Sequence, residues 1–131
     1  MLDPTAVRTQ LADAIRPLVP ASVPVLESAF DGLAVLPAVV IGMPSWDESR
    51  ETNFCFPRLT WPVGVIVSRP GDNDPVTVET LDQTWAAVLA GLRNVHSLAA
   101  ASQVIVQRSQ FGLFLVQGQQ YPSQTIFVET F

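Results

Sequence analysis

The alternation of apolar and polar residues divides the chain into two predicted helices and six predicted strands. Asp3-Pro4 is a helix start: an Asp side chain can accept from free N–H groups, and Pro fits the first turn. Val7, Leu11, Ile15 and Leu18 then recur at three- and four-residue spacing, which predicts a helix over residues 4–16, ended by Pro17 and Pro20. Residues 23–26 predict a short strand, placed at an edge because Pro24 interrupts it. Residues 38–41, β-branched and framed by Pro37 and Gly42, predict a second strand.

From 43 to 58 no period is sustained, and the segment reads as a long excursion or hairpin arm. Residues 62–67 form the clearest strand, apolar on both faces and therefore covered on both. Trp61, just before it, is expected to cover a sheet edge. An acidic, turn-rich loop over 69–75 leads to a second helix, beginning at Asp74-Pro75 or Thr77 and ending near Gly91 and Asn94. Its apolar stripe is Val78, Leu81, Trp85, Val88, Leu89 and Leu92. Three antiparallel strands are expected beyond it, over 103–108, 111–116 and 125–129, with Gly118 in the turn 117–120. The fold class is α+β: one domain over 1–131, two helices packed on a mostly antiparallel sheet. Leu11, Ile15, Val65, Leu81, Trp85 and Leu89 are the candidate core.

The chain carries twelve acids and seven bases, all of them Arg, for a formal charge of −5. With no Lys it lacks the basic patch that grips a phosphate backbone, which argues against sequence-specific nucleic-acid binding. It does not argue against a protein that DNA slides past. The apolar runs are too short to span a bilayer, no basic, apolar leader opens the sequence, and a soluble product made in a cytoplasm is expected.

Little in the sequence points to catalysis. His96 is the sole histidine and Cys55 the sole cysteine, forty-one positions apart and without a supporting motif. Cys55 between Phe54 and Phe56 reads as a small buried hydrophobe. The acids at 47, 48 and 51 and at 72 and 74 do not follow a calcium-loop pattern. No phosphate-binding, dinucleotide-binding or nucleophile-elbow motif is present. No catalytic residue, cofactor or metal is therefore assigned. Trp46, between Pro44-Ser45 and Asp47-Glu48, is either a local anchor or an interface residue. Trp46, Asp47, Glu48 and Phe54 form the candidate subunit interface.

The ordered segments carry a resemblance. A leading helix is followed by Leu36-Pro37-Ala38-Val39-Val40-Ile41-Gly42-Met43-Pro44-Ser45, a polar arm, and Trp61-Pro62-Val63-Gly64-Val65-Ile66-Val67. An acidic turn, a helix with Leu81-Asp82, and a hairpin with Tyr121 ending in Phe127-Val128-Glu129 complete it. The order resembles the tail terminator (tail completion, or minor tail) proteins of long-tailed bacteriophages, especially those infecting actinobacteria, over nearly the whole chain.

That resemblance implies a non-enzymatic virion protein. Six copies would form a ring between the major tail tube protein and a head-side stopper or connector, with genomic DNA passing through the lumen unheld and no membrane involved. It supplies no catalytic residue and no interface residue that can be matched here. The alternatives are another neck or tail protein, such as a stopper or tube protein, and, from a different class, a small ligand-binding domain or enzyme. A mainly helical adaptor fits poorly with the strand-rich C-terminal third.

Overall fold

A computed structural model describes residues 2–28, 35–49, 56–68 and 75–131. The elements, in order, are α1 (Pro4–Ile15) with a 3₁₀ turn (Arg16–Leu18), β1 (Val25–Leu26), β2 (Ala38–Ile41), β3 (Ser45–Ser49), β4 (Phe56–Ile66), α2 (Pro75–Arg93), β5 (Val104–Val116) and β6 (Gln119–Thr130). The strands form one sheet in the order β1-β2-β4-β6-β5, with β3 also paired to β4. Among the described residues only the β1–β2 pair is parallel. The fold is α+β, with two helices and a mostly antiparallel six-stranded sheet.

The Asp3 side chain accepts from the Thr5 N–H at 3.1 Å, so the helix start works as the sequence indicates. Val7, Leu11 and Ile15 lie on one buried face of α1 and join the main core. Leu81, Val88 and Leu92 of α2 join the same core, with Trp85 and Leu89 half-buried against it. From the sheet come Val39, Ile41, Leu59, Trp61, Val63, Val65, Ile126 and Val128. These alternate positions define the helix face of the sheet.

β4 is its spine. β6 pairs along one side of it, and β2 and β3 lie end to end along the other. β2 and β3 behave as one strand broken at residues 42–44: the register steps by one residue, from Ile41↔Val63 to Ser45↔Thr60. The interruption accounts for a proline inside a central strand. The Pro62 carbonyl accepts from the Gly42 N–H at 2.8 Å. In an antiparallel strand a residue's N–H and C=O face the same neighbour, so the N–H that Pro62 lacks would have pointed at this break, where the ladder is already irregular.

Four details depart from the sequence-based expectations. Trp61 does not cover an edge: it lies inside β4, fully buried, with its indole N–H donating to the Thr130 hydroxyl at 3.0 Å and the Arg8 guanidinium 5.4 Å from its ring. The three C-terminal strands are two long ones joined by a two-residue turn. Gln117 and Gly118 both have positive φ there, 48° and 81°, as such a tight hairpin turn requires. Val78 is exposed, because the first turn of α2 lies ahead of the stretch that packs on the sheet. Gly91 is helical rather than terminal, and the Leu18 side chain occupies the space a Cβ would need. The acidic loop over 69–74 lies outside the described residues.

A register shift between Val106 and Arg108 changes the phase of β5. Val104 and Val106 face the helices before it. After it, residues 109, 111, 113 and 115 take that face, and Phe114 and Val116 turn to the far one. The far face has its own apolar cluster of Val40, Ile66, Phe114, Val116 and Tyr121. Phe114 reaches it only because the hairpin curls. In a flat sheet Phe114 would stand roughly 16 Å from Gly64, two strands across and four residues along. Instead its ring lies so close that a Cβ on Gly64 would fall 2.7 Å from it, and one on Gly42 would fall 3.1 Å from it. Glycine at 64 makes room for the ring, and the hairpin bends over the far face to use that room.

Candidate assembly surfaces

Burial and curl together decide which apolar residues remain in water. The bend carries the helix-side residues of distal β5 past the helices: Phe111, Leu113 and Leu115 are 62%, 65% and 59% exposed. They sit at alternate positions on a thirteen-residue strand and form one continuous strip. β5 ends the sheet; beyond Val104, whose N–H donates to the His96 carbonyl at 2.9 Å, no strand pairs with its outer edge among the described residues. Beneath the curl, a concavity of about 460 Å³ runs between Gly42, Met43 and Pro62 on one side and Leu113 to Leu115 on the other, with Phe127 in its wall. Arg108 stacks on Phe127 with its guanidinium carbon 4.2 Å from the ring centroid.

At the opposite edge of the sheet, Trp46 of β3 is 66% exposed. Its ladder partner is Leu59, so it belongs to the helix face, and β3 pairs only with β4 among the described residues. Asp47 and Glu48 stand in the same strand, opposite Arg58 and Pro57. Phe54 lies outside the described residues, as does Cys55. Of the segment 43–58, read as a long excursion or hairpin arm, the described residues include β3, which pairs antiparallel with the start of β4.

The candidate core residues are held apart from these surfaces. Leu11, Ile15 and Val65 are fully buried and Leu81 nearly so. Trp85 is half-buried and spans the two roles, packing against the core while its indole N–H donates to the Ser109 hydroxyl at 2.9 Å. The strip on β5 was not singled out residue by residue in the sequence. Its signal was there, since residues 111–116 are apolar at both parities apart from a glycine, more than one buried face can use.

Among the described residues no group of three or more His, Cys, Asp or Glu side chains could hold a metal ion. His96 is exposed and borders a small polar depression with Arg93. Arg58 and Glu129 form a partly buried ion pair at 3.5 Å on the far face. No described helix is long and apolar enough to cross a membrane.

No family model matches the chain, and no curated protein matches it. Among solved structures, a chain from the virion of a native gene transfer agent particle shares the fold with a TM-score of 0.56. The superposition covers 96% of this chain and 95% of that one at 13% sequence identity, a likeness of fold across the full length.

Proposed function

We propose that this chain is a structural subunit of a phage-type particle and acts as its tail terminator. Copies close into a ring, of six by the family resemblance, at the head-proximal end of the tail tube. The ring halts polymerisation of the major tail tube protein and presents the surface on which the head-side stopper or connector docks. The observation that carries this reading is the end-to-end fold likeness to a chain of a gene transfer agent virion. The segment order points independently to the same class of protein.

Two physical features support it. Large apolar side chains left in water at both margins of one sheet suit a subunit completed by neighbours. A formal charge of −5 without a single Lys suits a conduit through which duplex DNA passes without being held. Neither feature calls for a catalytic group, and the proposed role uses none.

Deleting the gene from the particle that encodes it tests the role directly by electron microscopy. Overlong or ragged tubes beside filled, unattached heads are the expected result. Tails of normal length joined to heads would overturn the proposal, and normal-length tails left unjoined would reassign the chain to the head-side stopper.

A further inference from the structure

A closed ring needs two unlike, mutually complementary surfaces on each subunit, because head-to-tail contact repeats one pairing around the circle. Among the described residues the sheet has two such margins. At one, β3 offers a free edge with Trp46 standing out of it and with Asp47 and Glu48 as its charged residues. At the other, β5 offers a free edge with the Phe111-Leu113-Leu115 strip and Arg108 as its one charged residue. An acidic strand with one exposed aromatic faces away from a basic strand with an apolar strip.

We infer that copies of this chain join head to tail by sheet extension, β3 of one copy adding to the outer edge of β5 of the next. Trp46 of the first copy then lies on the Phe111-Leu113-Leu115 strip of the second. This inference rests on the ring reading above and names the surfaces that would close the ring.

Three observations select this pairing. Trp46 and the strip both belong to the helix face, through Trp46↔Leu59 on one side and Phe111↔Gln124 and Gln124↔Val65 on the other. Joining the two edges with their faces continuous therefore brings aromatic to apolar strip without twisting either sheet over. An antiparallel register with Trp46 opposite Phe111 also sets position 47 diagonal to Arg108, roughly 7–8 Å away and within reach of a long side chain. The charges on the two strands are then of opposite sign across the join.

Magnitude decides between sheet extension and simple face-to-face contact. Three exposed side chains of this size leave roughly 300–400 Å² of apolar surface, about half of the ~800 Å² that each partner of a standard interface covers. The strip alone is too small. β3, five residues and about 17 Å long, adds ladder hydrogen bonds and further buried surface where it lies along the free edge of β5 beyond Val104. Edge strands that must stay alone are blunted by Lys, Pro or inward charge; β5 contains no Lys and no Pro.

Complementation between two defective variants tests the pairing. Trp46→Asp disables the β3 margin and leaves β5 intact; Leu113→Glu does the reverse. Both positions are exposed, and circular dichroism melting checks that both variants fold. Native mass spectrometry and sedimentation at tens of micromolar then read the assemblies. Wild-type protein should form a closed ring and each variant alone a monomer. An equimolar mixture should give a 1:1 heterodimer that does not grow, because it contains one intact margin of each kind. Folded variants that form rings as wild type does would overturn this pairing and leave the ring reading standing. A mixture that stays monomeric would overturn the head-to-tail use of these margins. Monomeric wild-type protein at these concentrations would overturn the ring reading itself, and this inference with it.

Discussion

Gly64→Ala adds a single methyl group at the point where the curled hairpin touches the spine of the sheet. The new Cβ would stand 2.7, 2.8 and 3.0 Å from three carbons of the Phe114 ring. Carbon atoms rest at about 3.5–4.0 Å, so the ring has to withdraw by roughly 1 Å. It has little room to do so, being buried among Val40, Ile66, Val116 and Tyr121. Overpacking of this kind costs about 1–3 kcal/mol, and the lower backbone entropy of alanine offsets about 0.5–1 kcal/mol of it. A net loss of about 1–2 kcal/mol follows, or a fall in Tm of roughly 3–8 °C for a chain of this length. Phe114→Leu on its own should also destabilise, by removing ring contacts. In the double variant the methyl added at position 64 enters the space the ring has left, and the two losses should fall short of additivity by about 1 kcal/mol. Urea titration of the four proteins completes the cycle. A Gly64→Ala protein as stable as wild type, with purely additive losses in the double variant, would refute the curled packing.

The tryptophans should separate by role. Trp46→Ala should leave the melting temperature within the range of a surface change, about 0.5 kcal/mol, and weaken self-association tenfold if the indole contributes about 1.4 kcal/mol. Trp85→Ala should instead destabilise the fold first, by about 2–3 kcal/mol and visibly in Tm, since it empties part of the α2–sheet contact and strands the Ser109 hydroxyl; the opposite pattern in melting and sizing experiments would reverse the assignment. Asp3→Ala should cost about 1 kcal/mol through the lost cap on α1, with Asp3→Asn recovering most of it in a denaturant titration. Duplex DNA at low ionic strength should run unretarded in a gel-shift, and tight, salt-sensitive retardation would point to an arginine cluster and against an unheld passage.

Much of the fold was legible because local signals agreed with one another. The cap at Asp3, the stripe from Val7 to Ile15 and the prolines beyond it mark α1 to within a residue, and residues 38–41 match β2. Where reading failed, a long-range pairing had overridden a local cue. Pro62 looked like the start of a strand, which left Trp61 outside it; only the break between β2 and β3, on a different segment, makes a central proline tolerable. The shift at residues 106–108 changed the parity of β5, and a change of parity looks like the end of one strand and the start of another. The polar run from 117 to 120 suggested one turn, yet Gln119 and Gln120 already belong to β6, where they pair with Val116 and Leu115. Trp46 stood out in the sequence by its polar company, but the strip on β5 needed the curl, which no window of sequence contains.

The distances along the chain between partners in the sheet have a kinetic meaning. The β5–β6 hairpin closes through a two-residue turn and can form within about 1–10 μs. The spine cannot: the Trp61–Thr130 hydrogen bond joins residues 69 apart, and every β4–β6 pair closes a loop of about that size. A topology so dominated by non-local strand pairing has a high contact order, and refolding in milliseconds to seconds is expected in stopped-flow fluorescence of the buried indole. Trp61 also stays unsheltered until β6 has left the ribosome, so the sheet closes last at its spine. The β5 margin therefore comes into existence only once both β5 and β6 have emerged and paired, and self-assembly becomes a meeting of sheets that are already whole.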